Sequence, residues 1–183
     1  MRWGPRPRPG RVLAAAIVFI VLGAGHSAKG EAPYVLYHHV FGEWSVTCWE
    51  GLLTKARSCS LGAPVPALDE TVRRSVVQIE ESGDGALKLS VVVRGEPTRR
   101  MDVVLRVDGA DRHSGRTDDA GRAIWTGADA QSIVAGLREG KSLSLRIRDT
   151  GTPRDEVFAL AGFAAALADY RARGAAFAAQ PAR

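Results

Sequence analysis

Apolar and polar residues alternate in three separate segments of this chain of 183 residues. The segments are residues 87–93, 103–107 and 143–147, which have leucine, valine or isoleucine at every second position. Successive side chains of a β-strand point to opposite faces of a sheet, so each segment predicts a strand with one buried face. Weaker strand patterns cover residues 40–49, 57–61, 73–81, 122–126 and 156–160.

Turn-forming residues separate the predicted strands by short distances. Glycine occurs there beside aspartate, serine or threonine, for example at Asp108-Gly109 and Thr150-Gly151. Short connections favour antiparallel pairing, and about eight strands in one domain favour two packed sheets. The predicted fold class is therefore mainly all-β: an antiparallel β-sandwich with one short internal helix and a C-terminal helix.

Two segments have the periodicity of a helix rather than that of a strand. Residues 129–138 and 161–173 each carry an apolar stripe, and glycine follows each stripe at Gly140 and Gly174. We expect both helices to end at these glycines. The sequence after Gly174 has no polar periodicity, so residues 175–183 are expected to form a loose C-terminal tail.

The first 31 residues have the layout of a secretory signal. Four arginines and no acid precede an uninterrupted apolar run, residues 12–24, and small residues follow the run. We expect residues 1–31 to be a signal peptide, cut between Ser27 and Ala32, and residues 32–174 to form the exported domain. An uncleaved anchor is the alternative, but the apolar run is shorter than the roughly 20 residues that span a bilayer. The expected location is periplasmic, outer-membrane associated or secreted, without a membrane span after cleavage.

Much of the positive charge lies in the predicted signal. The whole chain has 25 lysines and arginines against 20 acids. Without the four arginines of the signal, 21 basic residues face the same 20 acids, a formal net charge of +1. A domain so close to neutral lacks the electrostatic footprint of a nucleic-acid-binding protein, so no nucleic acid partner is predicted.

Two cysteines, Cys48 and Cys59, lie eleven positions apart. In an exported chain with no third cysteine, the simplest expectation is a disulfide between them. Closing a loop of this length contributes roughly 3 kcal/mol by restricting the unfolded chain. The alternatives fit less well, because redox pairs usually form a C-x-x-C motif at a helix start, and zinc would lack half its ligands.

No motif of a catalytic or cofactor site occurs in the sequence. It lacks the nucleophile elbow G-x-S-x-G, the metalloprotease motif H-E-x-x-H and the dinucleotide-binding motif G-x-G-x-x-G. His38 and His39 are neighbours in an extended segment, so their side chains should point to opposite faces and cannot bind one metal together. Asp118 and Asp119 fall in a turn, where aspartate hydrogen-bonds the backbone. We predict no catalytic residue, metal or cofactor.

Two groups of residues, one near each end of the domain, resemble a known family. Residues 40–48 (VFGEWSVTC) place glycine, acid and tryptophan ahead of a strand that ends in cysteine, and Cys59 follows. Residues 133–141 (IVAGLREGK) precede an alternating strand and then residues 158–163 (FALAGF). This combination resembles the invasion-associated locus B family of bacterial envelope proteins. The second cysteine pair that family members often carry has no counterpart at residues 116–122.

The resemblance implies a secreted β-sandwich of the periplasm or outer membrane, associated in some pathogens with entry into host cells, and no known enzymatic activity. The predicted function is that of an exported, non-enzymatic envelope protein that binds another envelope or host-surface component. The alternative is a small periplasmic enzyme or thiol-redox protein whose site is assembled from residues distant in sequence. A purely structural envelope component is a third class.

Arginines alternate with apolar residues in two of the predicted strands. If the apolar side of each strand is buried, Arg106, Arg146 and Arg148 must project from the opposite face of one sheet. The planar guanidinium group pairs well with carboxylate or phosphate, so these three residues form a candidate binding surface. The same alternation puts Trp49 opposite Trp44, which makes Trp49 a candidate surface anchor if Trp44 is buried.

Overall fold

A computed structural model describes residues 34–64, 74–81, 86–94, 100–110, 112–149 and 151–178. The predicted signal peptide, residues 1–31, and the end of the predicted tail, residues 179–183, lie outside the described residues. The elements, in chain order, are β1 (Tyr34–Phe41), β2 (Trp44–Glu50), β3 (Arg57–Ala63), β4 (Val76–Glu81), β5 (Leu87–Val92), β6 (Asp102–Val107), β7 (Arg112–Arg116), β8 (Arg122–Thr126), α1 (Gly127–Glu139), β9 (Ser142–Arg148), β10 (Arg154–Ala159) and α2 (Phe163–Ala178).

The strands form two antiparallel sheets. The larger sheet has six strands in the order β1-β2-β3-β4-β5-β8, and the smaller has four in the order β10-β9-β6-β7. All the pairings are antiparallel, as the short connections predict. The predicted fold class, an antiparallel β-sandwich with one internal and one C-terminal helix, is confirmed.

The inner face of the six-stranded sheet carries a continuous apolar row. Val46 pairs with Leu61, Leu61 with Ile79, Ile79 with Leu89 and Leu89 with Trp125. All five side chains are buried. Because a shift of one residue would turn this whole row to solvent, the row fixes the register of five strands.

The inner face of the four-stranded sheet supplies the other half of the core. It carries Leu105 and Leu145, which pair with each other and are fully buried. Gly115 of β7 lies against the larger sheet, since a Cβ built on Gly115 would be 2.6 Å from Cζ2 of Trp125. At this point the two sheets approach closely because a glycine makes room for a tryptophan ring.

Both helices pack against the inner face of the six-stranded sheet, the face that carries the apolar row. Helix α1 contacts β5, β8 and β6, and α2 contacts β1, β2, β3 and α1. The Tyr170 hydroxyl of α2 accepts a hydrogen bond of 2.6 Å from the backbone N–H of Glu81 at the end of β4. Among the described residues, neither helix is long and apolar enough to cross a membrane.

The C-terminal helix is longer than the sequence predicts. The expected end at Gly174 is wrong, because α2 continues to Ala178, and residues 175–178 of the predicted tail are helical. A glycine inside a helix costs about 1 kcal/mol relative to alanine. Two alanines follow Gly174, and Phe177 packs against the core, so helix propensity and burial together outweigh that cost.

Two strands differ from the sequence prediction. The predicted single strand over residues 40–49 is wrong, because the chain turns at Gly42 and pairs Phe41 with Trp44. Gly42 has a φ of 67°, which glycine adopts without strain and which suits a two-residue hairpin loop. The strand β7 was not predicted, because its sequence RHSGR has no apolar alternation.

Residues from the two ends of the domain meet beside the edge of β10. The indole Nε1 of Trp44 donates a hydrogen bond of 2.8 Å to the carbonyl of Ala159, and its ring packs edge-on against Phe163 with centroids 4.7 Å apart. The Glu43 carboxylate accepts a hydrogen bond of 3.2 Å from the Ala159 N–H. The two sequence groups that carry the family resemblance thus contact each other and hold the first hairpin to the start of α2.

Candidate binding surface

The outer face of the four-stranded sheet carries the three predicted arginines. In the register of this sheet, Arg106 pairs with Ser144, Arg146 with Val104 and Arg148 with Asp102. All three arginines are exposed, and they lie on three consecutive rows of the same face. The predicted placement of Arg106, Arg146 and Arg148 on one solvent-facing surface agrees with this geometry.

Strand β7 adds two arginines that the sequence did not assign to this face. Arg112 lies directly opposite Arg106, and Arg116 lies opposite Asp102. Their spacing of four positions puts both on one side of any strand, so the signal was present in the sequence. It was missed because β7 has no buried alternation to mark it as a strand. We call this surface, which consists of Arg106, Arg112, Arg116, Arg146 and Arg148 with Asp102 and Asp155, the arginine face.

Two arginines of this face are neutralised by aspartates. Arg146 donates through Nε and Nη2 to the two carboxylate oxygens of Asp155, at 2.7 and 2.6 Å. Arg116 Nε lies 3.2 Å from a carboxylate oxygen of Asp102. The hydrogen bonds from Arg146 lower the pKa of Asp155, and the charges of Arg148 and Arg106 lower it further. Asp155 therefore stays ionised and keeps Arg146 engaged.

The guanidinium groups of the other three arginines, Arg106, Arg112 and Arg148, form no hydrogen bond or ion pair with any residue that the structure describes. Five arginines and two aspartates give the face a formal charge of +3. Arg106 and Arg112 are directly opposite each other on adjacent strands, an arrangement in which like charges are destabilising. An anion placed between the two guanidinium groups would remove this repulsion.

Trp49 lies on the opposite side of the sandwich from the arginine face. It is half-buried on the outer face of the six-stranded sheet, where it pairs with Val35 of β1 and Ser58 of β3. Trp44 is fully buried, so the predicted opposition of the two tryptophans is confirmed. The structure does not bring Trp49 together with the three predicted arginines, and one flat partner cannot contact both surfaces at once.

The two cysteines form the predicted disulfide. Cys48 of β2 and Cys59 of β3 are direct cross-strand partners with a Cα separation of 4.0 Å. Cys48 is fully buried, and Cys59 packs against the core. An attacking thiolate must reach a disulfide sulfur, so this position favours a bond that stabilises the hairpin over one that exchanges.

The two adjacent histidines point to opposite faces of β1, as the sequence predicts. His38 Nδ1 is 2.9 Å from the Thr47 hydroxyl on the outer face. His39 Nδ1 is 3.1 Å from the hydroxyl of Tyr37, which donates a hydrogen bond of 2.9 Å to Asp169 of α2. Desolvation beside α2 raises the pKa of Tyr37, and the hydrogen bond to Asp169 adds to that effect.

Of the two acids in the turn before β8, Asp118 has the backbone-bonding role that the sequence predicts, whereas Asp119 accepts a hydrogen bond of 3.1 Å from Nε of Arg100. Asp118 accepts backbone hydrogen bonds from Ala120 and Arg122, at 2.9 and 2.8 Å. The bond from Arg122 is the main cause of the lowered pKa of Asp118. Among the described residues, no three histidines, cysteines or acids cluster closely enough to hold a metal ion.

A shallow groove of about 150 Å³ lies between the two helices. Its lining includes the apolar side chains of Leu87, Val134 and Leu167 and the basic side chains of Arg138 and Arg171. The groove has neither an acid nor a histidine in its lining. It therefore offers apolar contact and positive charge.

The fold and the arginine face define an antiparallel β-sandwich whose smaller sheet presents a cationic outer surface. Protein-family models, curated proteins and solved structures contain no match to the chain.

Proposed function

We propose that this protein is an exported, non-enzymatic envelope protein of the invasion-associated locus B type, and that it acts by binding another envelope or extracellular component through the arginine face. The proposed location is the periplasm, the outer membrane or the exterior. The sequence groups around Gly42-Glu43-Trp44 and Gly162-Phe163 support the family assignment, because residues that contact each other in the fold form a stronger signature than isolated matches.

The observation that carries the proposal is the pair Arg106 and Arg112. Their cross-strand opposition costs stability in the free protein, and no acid of the described residues pairs with either guanidinium group. A binding role accounts for this arrangement, since a carboxylate or phosphate on a partner can accept paired hydrogen bonds from each planar group. Arg148, on a neighbouring strand of the same face, would meet a second anionic group of the partner.

The pairing of Arg146 refines the set of residues that bind. Its guanidinium is held by both oxygens of Asp155, so a partner must compete with an existing bidentate ion pair. Arg146 is therefore already engaged by Asp155 in the free protein. We assign the primary contacts to Arg106, Arg112 and Arg148.

The test is photo-crosslinking of the mature protein in cells from a probe at Ser114, which lies on the outer face beside Arg106 and Arg112. The variant Arg106→Gln/Arg112→Gln should reduce capture of the partner, because it removes two of the three unpaired charges on exposed side chains that the core does not need. The matched control is Arg138→Gln/Arg171→Gln, which removes the same charge from the helices. The control should capture the partner as the wild type does.

Raising the salt concentration should weaken capture by the wild-type protein, because exposed charges are screened over about 10 Å at moderate ionic strength. Equal loss of capture in the two double variants would mean that net charge, rather than the arginine face, controls binding. Unchanged capture by Arg106→Gln/Arg112→Gln would remove this face from consideration.

A further inference from the structure

The first strand forms an edge of the six-stranded sheet, and its pairing with β2 shifts register once, between Val35 and Tyr37. Among the described residues, no strand pairs with the second side of β1. Its sequence YVLYHHVF has no acid, lysine, arginine or proline over eight residues. The side chains of Tyr34, Val35, Leu36 and Val40 are all exposed, to between 38% and 64%. Such a long uncharged edge is a template for pairing with another strand.

At the outer edge of β10, side chains form hydrogen bonds with backbone carbonyl groups that an added strand would need. Arg74 donates a hydrogen bond to the carbonyl of Val157, and Trp44 donates one to the carbonyl of Ala159. The outer edges of β7 and β8 carry Arg112, Arg116 and Arg122. Side-chain hydrogen bonds and charges both oppose the addition of a strand. From His38 to Phe41, beyond the register shift, β1 has no charged side chain, and no described side chain bonds its backbone.

The hydrogen-bonding pattern shows which backbone groups of β1 face outward. Antiparallel partners alternate between hydrogen-bonded pairs, about 5.5 Å apart at Cα, and closer non-hydrogen-bonded pairs. The 4.0 Å separation of Cys48 and Cys59 marks them as a non-hydrogen-bonded pair. The backbone N–H and C=O groups of Cys48 therefore form hydrogen bonds with Tyr37, its partner on β1. Because the pattern alternates, the N–H and C=O groups of His38 and Val40 point away from the sheet.

A hydrogen bond at the far side of the sheet gives the same result. The N–H of Val93 donates to the carbonyl of Gly121 at 2.9 Å. In the register of β5 and β8, the odd-numbered residues of β5 are therefore those whose backbone groups form hydrogen bonds with β8. Alternation through β4 and β3 then makes Cys48 and Cys59 non-hydrogen-bonded partners. Two independent observations therefore place the same groups of β1 at the free edge.

We propose that β1 pairs in antiparallel fashion with β1 of a second copy of this chain, forming a two-fold dimer with a continuous twelve-stranded sheet. A second copy fits because β1 carries no formal charge that would repel its own image at neutral pH. Self-pairing of the β7 or β8 edge would instead bring arginines together. A two-fold contact also pairs the β1 edges of both copies with each other. If β1 paired with a different edge of the second copy, one β1 would stay unpaired and further copies could add without limit.

The side chains around β1 support the same arrangement. A two-fold axis perpendicular to the sheet keeps each outer face on the same side of the dimer. Val35 and its cross-strand partner Trp49 then lie with Val40 on one shared apolar surface that includes both copies. Trp49 would then lie beside the dimer contact, on a surface separate from the arginine face.

The first test measures amide hydrogen exchange in the mature protein at low and high concentration. The amides of His38 and Val40 should exchange at least about tenfold more slowly in the concentrated sample, where the dimer forms, because pairing gives them acceptors. Those of Tyr37 and His39 should be protected at both concentrations. The amide of Ile124, which faces outward on β8, should not respond to concentration.

The second test uses substitutions with mass measured by sedimentation or native mass spectrometry. Val40→Pro removes an outward N–H without breaking a bond of the sheet, since proline is tolerated at an edge, and it should give a monomer. Val40→Lys should also shift the equilibrium to monomer, because it places like charges near one another in the dimer. Ile124→Lys, a similarly exposed β-branched residue at the other edge, should dimerise as the wild type does.

Several results would overturn the proposal. One is a wild-type protein that remains monomeric with rapid exchange at His38 and Val40 at every concentration. Protection of these amides in a species of monomer mass would assign the edge to a segment of the same chain. If a photo-crosslinking probe placed at position 40 captured a different protein and no second copy of the chain, the edge would belong to that partner instead. A dimer that survives in both folded Val40 variants would place the contact elsewhere.

Discussion

Gly42 and Gly162 pack against each other's turns. A Cβ built on Gly42 would lie 2.7 Å from the carbonyl oxygen of Ala161, and one built on Gly162 would lie 2.8 Å from the carbonyl carbon of Phe41. Both glycines also have positive φ, at 67° and 90°. The hairpin between β1 and β2 and the turn before α2 can therefore touch only because neither turn has a side chain at the contact.

We expect Gly162→Ala to destabilise the protein more than Gly109→Ala does. Both glycines have positive φ, so alanine costs about 1–2 kcal/mol at either position. A Cβ at Gly109 would have no atom within 4 Å, whereas one at Gly162 meets backbone that cannot rotate away. Overpacking of this kind costs about 1–3 kcal/mol more. Urea denaturation measures the free energy of unfolding of both variants. Equal losses of stability would show that the two turns can move apart at little cost in free energy.

The sequence predicts those parts of the fold in which burial alternates along the chain. The strands with regular leucine and valine spacing were found, and the three arginines on their outer side were found with them. Strand β7 was missed because its position depends on Gly115 packing under Trp125, a contact between residues of different sheets. The pairing of Arg146 with Asp155 depends on the register of β9 and β10, which no local pattern specifies.

Replacing both Cys48 and Cys59 by alanine should lower the free energy of unfolding by roughly 3 kcal/mol, since the unfolded chain regains the freedom of a closed loop. The arginine face lies on the other sheet, so capture of a partner by folded protein should be unchanged. Thermal and chemical denaturation measure the stability, with the wild type under reducing conditions as a comparison. A loss of function without a loss of stability would favour the thiol-redox alternative.

Tyr170→Phe should change both the stability and its dependence on pH. The phenol accepts a hydrogen bond from the N–H of Glu81, and its loss should cost about 1 kcal/mol at neutral pH. Burial raises the pKa of Tyr170, so the folded state binds this proton more tightly than the unfolded chain does. The resulting stability is fully present below the unfolded pKa of about 10 and is lost as pH rises through the folded pKa.

Other groups also titrate at alkaline pH, so the contribution of the Tyr170 phenol is obtained as the difference between the stability curves of the wild type and Tyr170→Phe. The wild type should lose more stability than the variant does above about pH 10. Tyr34→Phe is the control, because the side chain of Tyr34 is 64% exposed. It should follow the wild-type curve. Parallel curves for wild type and Tyr170→Phe would mean that Tyr170 does not couple folding to pH.

Cleavage of the signal should leave a mature protein that begins between Ala28 and Pro33. The basic start, the apolar run of residues 12–24 and the small residues after it predict this site, and it lies just ahead of β1, which begins at Tyr34. N-terminal sequencing of the envelope form measures it. Ile17→Arg, which interrupts the apolar run, should leave an uncut precursor that fails to reach the envelope. An intact Met1 on a membrane-bound wild-type species would show instead that the segment is a permanent anchor.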